Sequence, residues 1–197
     1  MPGLIDLHII GFNDKGHIHF KSLVLDLLNK NKYMKEKTEK NFVFEVRLNW
    51  LADTRGLLCA PDAKGIIHVA TPPAFGGTGK PWTPEHYFLS SISSCFMTTF
   101  LAFSRKSKFE IVDLKCNVTG KVEIVEGKYK FTQIDIYPKI YINSELERQK
   151  TEFILAKTHK YCLISNSVNA NINYHDEVLI VSESLLPEFC SEMEETV

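Results

Sequence analysis

The chain has 197 residues, with 24 acidic against 23 basic side chains and a formal net charge of −1. Apolar residues at 44% and charged residues at 24% exclude a disordered chain, because this composition buries enough surface to offset ordering entropy. The near-neutral balance offers no general phosphate-tracking surface, which argues against nucleic-acid binding. The longest apolar runs, such as Phe96–Phe103, fall short of the roughly 20 residues of a membrane span.

Residues 1–40 read as an N-terminal extension. Residues 4–10 suit a short strand and Phe20–Leu28 a helical turn or two, and the stretch from Lys30 to Lys40 is a charged linker without periodicity. The first residues lack the basic region and apolar core of a secretory signal, so a cytoplasmic protein is expected. A domain over 41–182 follows, and an acidic tail over 183–197. From Phe44 to Trp50 apolar residues alternate with Glu45, Arg47 and Asn49, the pattern of a half-buried strand. Asp53-Thr54-Arg55-Gly56 reads as a turn, with further strands over Leu57–Ala60 and Ile66–Ala70. The loop Gly76-Gly77-Thr78-Gly79-Lys80 is no Walker A motif, since Ala74 and Pro81 stand where glycine and a hydroxyl residue are needed.

A helix opens at Thr83, a capping residue, followed by Pro84 at the first helical position and Glu85 at the positive end of the dipole. Phe88, Leu89, Ile92, Phe96, Phe100, Leu101 and Phe103 spread so far round its axis that the spacing predicts a central helix buried on most sides. The serine pairs Ser90-Ser91 and Ser93-Ser94 predict a distortion of the helix there. Two long strands follow, around Leu114–Val118 and Ile134–Ile142, turning at Glu126-Gly127. Ser144 to Glu147 has capping-box form and opens a helix to about Tyr161. A short helical segment and strands at Ala170–Tyr174 and Val178–Val181 complete an α+β order.

Five cysteines without Cys-x-x-Cys spacing fit neither a disulfide scaffold nor a zinc ribbon. Most free cysteines are small core residues, and Cys116, alternating with Leu114 and Val118, fits that description. Cys59 and Cys190 receive no role. Cys95 and Cys162 adjoin helical elements, where partial positive charge favours a thiolate. No histidine spacing suits a metal site, since His17 and His19 supply only two ligands. His86 and His159 read as exposed surface histidines.

The run from Trp82 to Cys95, with Pro84-Glu85 and a cysteine ten positions after the glutamate, resembles the signature of the OsmC/Ohr family of osmotically induced and organic-hydroperoxide-resistance proteins. So does a second cysteine 67 positions later, in Cys162-Leu163-Ile164-Ser165, although Leu163 stands where the family usually has proline. The resemblance covers about residues 42–182. It implies an intertwined α+β homodimer whose antiparallel sheets pack around a central buried helix. It also implies a peroxidase without metal or organic cofactor, acting on organic hydroperoxides with a dithiol reductant such as a lipoyl protein. Cys95 then matches the peroxidatic cysteine, Cys162 the resolving cysteine, and Glu85 the glutamate that orients an arginine, for which Arg55 is the candidate and Arg47 the alternative. A small-ligand-binding domain that keeps the fold is the competing reading. A continuous helix would separate Glu85 from Cys95 by about 15 Å, so the glutamate reaches a Cys95 site only through a break in the helix or from a second chain.

Overall fold

The computed structural model describes residues 41–181, and every element lies in the unit that begins at Glu45. The strand and helix expected before residue 40, Cys190 and the acidic tail lie outside the described residues.

Strands β1 (Arg47–Ala52), β2 (Arg55–Cys59) and β3 (Ile67–Ala70) form an antiparallel meander. Its first turn is tighter than the sequence suggested. Asp53, at φ 50°, takes the left-handed position, so Arg55 and Gly56 already belong to β2. The alternation in β1 does not translate into burial within the chain: Leu48 is 61% and Trp50 74% exposed. β3 leads into a loop that folds back on itself, with Gly77 pressed so close to the Thr71 carbonyl that a Cβ would lie 1.6 Å from its oxygen. Only glycine fits there.

Helix α1 (Pro84–Lys106) begins where Thr83 and Pro84 place it. The cap is completed by His86, whose Nδ1 accepts the Thr83 amide at 3.1 Å. This gives an exposed histidine a local structural role. The helix is continuous through its serines, whose hydroxyls at 90, 91 and 94 bond back to carbonyls three residues earlier without breaking the ladder. It buries one face, carrying Ile92, Phe96 and Phe100, while Ser94, Met97, Thr98, Ala102 and Arg105 stay exposed. The expectation of burial on most sides is therefore met on one side only. Twenty-three residues of this composition are long and apolar enough to cross a membrane by length and hydropathy alone. The fully buried Phe96 and Phe100 are what a core helix has.

β4 (Asp113–Val125) and β5 (Lys128–Ile142) make a long hairpin closed by Glu126 and Gly127, both at positive φ as a two-residue hairpin turn requires. Ile134, Ile136, Ile140 and Ile142 point to one face of β5 and pack against α1 and against Ile154 and Leu155 of helix α2 (Arg148–Tyr161). Each such burial contributes about 1.5–3 kcal/mol. α2 is preceded by a single 3-10 turn over Glu145–Glu147, and the expected capping box does not form. The Ser144 side chain caps nothing, and Glu147 accepts the Asn143 amide instead. β6 (Asn171–Tyr174) and β7 (Glu177–Ile180) join β5 in parallel, one after the other. The change of partner falls at Pro138, which lacks the amide to continue a ladder.

Candidate active site

Cys95 lies mid-way along the long helix α1, half-buried, and Cys162 terminates α2, fully buried. The turn after Cys162 is bound tightly. Asn166 donates its amide to the Cys162 carbonyl at 3.1 Å and its side-chain nitrogen to the Lys160 and Cys162 carbonyls. Ser167 bonds the Leu163 carbonyl at 2.8 Å. This clamp aims the amides of residues 163–165 at the two sulfurs. Ile164 N–H donates to Cys95 Sγ at 3.5 Å, and Thr99, one turn along the helix, lies 3.9 Å from the same sulfur. The Ser165 hydroxyl donates to Cys162 Sγ at 3.2 Å.

The two thiols are hydrogen-bond neighbours and are displaced in opposite directions. Burial pushes Cys95 up, but the Ile164 amide, the Cys162 thiol, the Thr99 hydroxyl and the Leu163 amide outweigh it, and the net shift is downward. Burial dominates at Cys162 and holds it up despite the Ser165 hydroxyl and amide, with Cys95 adding to the rise. Cys95 is thus the easier thiolate, and Cys162 keeps the proton that it shares with it. Both are free thiols.

The other expected site residues are not gathered at this pair within the chain. Glu85 sits in the first turn of α1, ten positions from Cys95 on an unbroken helix, and its Oε2 is buried without a hydrogen-bond partner. Arg55 is exposed and pairs with Asp53 at 3.8 Å, while Arg47 pairs with Glu45 at 2.7 Å. Arg55 stands opposite Ala70, whose amide bonds the Trp82 carbonyl at 2.9 Å, so β2 and the start of α1 are linked through β3. Cys116 is half-buried on the wall of a cavity of about 480 Å³ that it shares with Trp82, His86, Leu89, Ser93 and Met97. Burial pushes its thiol up, which suits an inert side chain.

Several site residues escaped the sequence reading. Thr99, one helical turn after Cys95, and Ser165, three positions after Cys162, were visible as spacings but not as contacts. His159 is not a free surface histidine. It pairs with Asp176 at 3.1 Å and stacks on Tyr174 with ring centres 3.8 Å apart. Among the described residues no group of three histidine, cysteine or acidic side chains could hold a metal.

The α+β fold that carries these two thiols has known counterparts. Residues 77–175, half of the chain, match the model of the OsmC-like protein family. The chain belongs to that family. The protein YmaD of Bacillus subtilis is 19% identical over 140 residues, covering 70% of this chain and 93% of YmaD. An OsmC-like protein of Vibrio cholerae has a similar structure, with a TM-score of 0.62 at 19% identity, covering 69% of this chain and 99% of the other. So has an organic hydroperoxide resistance protein OsmC of Legionella pneumophila, with a TM-score of 0.57 at 19% identity over 72% of this chain and 99% of the other.

Proposed function

We propose that the protein is a cytoplasmic, thiol-dependent peroxidase of organic hydroperoxides, with Cys95 as the attacking thiolate and Cys162 as the resolving thiol. The observation that carries this reading is the convergence of donors on two neighbouring free thiols, the Ile164 amide on Cys95 Sγ at 3.5 Å and the Ser165 hydroxyl on the fully buried Cys162 Sγ at 3.2 Å. A lowered Cys95 and a raised Cys162 are in line with it. The Cys95 thiolate attacks the outer oxygen of the hydroperoxide. The O–O bond breaks, the alkoxide leaves as the alcohol after taking a proton, and Cys95 becomes a sulfenic acid. Cys162 then condenses with it to a disulfide and water, and a dithiol reductant returns both thiols. Membership of the OsmC-like family and the likeness to hydroperoxide-resistance proteins support the same chemistry.

The working unit in this proposal is a homodimer in which Glu85 and an arginine serve the Cys95 of the partner subunit. Three observations support it. α1 is unbroken, so Glu85 cannot reach its own Cys95; its buried Oε2 lacks a partner; and β1 carries apolar side chains that none of the described residues covers. Arg55, on a strand linked to the start of α1, is the arginine proposed to meet that carboxylate, with Arg47 the alternative.

Consumption of tert-butyl or cumene hydroperoxide with dihydrolipoamide tests the reading. Cys95→Ser is expected to abolish turnover, and Cys162→Ser to consume about one equivalent before stalling as sulfenic or over-oxidised Cys95. Full turnover by Cys95→Ser, or none by the unaltered protein with any dithiol, would sink the proposal and leave a small-ligand-binding domain in its place.

A further inference from the structure

The resolving thiol has a support that a two-cysteine scheme does not use. Ser165 is buried and opens the short turn that follows Cys162, with its hydroxyl donating to Cys162 Sγ at 3.2 Å. A serine hydroxyl has one proton. That proton is committed to sulfur, and the Tyr174 side chain lies beside Ser165. Tyr174 is itself fixed, its ring stacked on His159 at 3.8 Å and 18° and flanked by Phe96 at 6.3 Å. Behind it His159 Nε2 meets Asp176 Oδ1 at 3.1 Å. Ser165 therefore sits between this fixed aromatic group and the resolving sulfur, with its one proton on Cys162 Sγ.

We infer that Ser165 is the positioning residue of the resolving thiol, and that its hydroxyl stabilises the charge that grows on Cys162 Sγ as this sulfur attacks the sulfur of oxidised Cys95. The inference rests on the peroxidase reading for its place in a cycle. There, Cys162 gives up its proton and forms the S–S bond as the S–O bond of the sulfenic acid breaks, and the departing oxygen leaves as water. Cys162 is fully buried, so the donors that face the developing thiolate are those of Ser165. The groups around it are Cys95, Ser165, Tyr174, the Cys116 thiol of β4 and, beyond the tyrosine, the His159–Asp176 pair.

The same attack occurs on any disulfide at Cys95, and this separates the test from peroxidase activity. Mixed with dithionitrobenzoate, the reduced protein is expected to release thionitrobenzoate in two phases, first as Cys95 attacks the reagent and then as Cys162 attacks the mixed disulfide. Ser165→Ala should leave the first phase unchanged, which also reports an intact fold. It should slow the second about tenfold or more near neutral pH, in line with losing a hydrogen bond to a charged group. The deficit should close as pH rises above the ordinary thiol range, where Cys162 ionises without help. Ser165→Thr, which keeps the hydroxyl, should restore the second phase. A second phase unchanged in Ser165→Ala, or slowed equally at every pH, would overturn the inference; the latter marks a displaced sulfur rather than a lost donor. Failure of the peroxidase reading shows elsewhere, as absence of sulfenic acid at Cys95 after hydroperoxide treatment with the two-phase exchange intact.

Discussion

Position 163 is where the chain departs from the sequence its family resemblance leads one to expect. The resemblance implies proline there, and proline has no amide hydrogen to donate. Leu163 has one, and it is among the groups that hold the Cys95 thiol below its ordinary value, beside the Ile164 amide, the Cys162 thiol and the Thr99 hydroxyl. Cys162 already has extended backbone, φ −63° and ψ 111°, which the residue before a proline favours. Leu163→Pro is therefore compatible with the turn while removing one donor. Its expected effect is a higher titration midpoint for Cys95. Alkylation by iodoacetamide below that midpoint should slow about twofold to tenfold, because the rate follows the thiolate fraction. An unchanged midpoint would mean that Ile164, Cys162 and Thr99 carry the effect without Leu163. The two cysteines were legible from their motifs, but the donors were not. Backbone amides leave no mark in a sequence, and they converge only because Asn166 closes the turn.

At the scale of elements, what the sequence misjudged has a common cause. The hydrophobic spread of α1 and the alternation of β1 both read as burial, and both correspond to surfaces left open in the single chain: Met97 and Ala102 on α1, Leu48 and Trp50 on β1. Apolar periodicity records that a face is covered, not by which chain. The caps and turns were read well where one local contact decides them, as at Thr83 and Glu126-Gly127. They failed at Ser144, where Glu147 found the Asn143 amide first. If the open faces meet in a homodimer, sedimentation equilibrium should give twice the chain mass at low micromolar concentration. Mixing inactive Cys95→Ser with inactive Glu85→Ala protein, with exchange of subunits, should then restore about a quarter of the unaltered activity, because half of the dimers are mixed and each holds one complete site. A fully active monomer would refute the arrangement, and mixing without recovery would place Glu85 in the service of its own chain.

For the whole molecule, the position of the two thiols makes redox state a matter of architecture. Cys95 is embedded in the helix that carries much of the core, and Cys162 ends the second helix, 67 residues further on. Between them run both long strands of the larger sheet. Once the proposed disulfide closes, the unfolded chain is tied into a loop that contains β4, β5 and α2. The loss of chain entropy favours the native state by about 4 kcal/mol in the loop-closure account. For a chain of this size that corresponds to a rise of about 10 °C in the unfolding midpoint. The oxidised protein, waiting for its reductant, would then be the hardier form, and each arrival of a dithiol would loosen the molecule as well as recharge it. Calorimetry of the peroxide-treated and dithiol-treated forms measures this directly. Equal midpoints would mean that the two sulfurs, although neighbours, do not join.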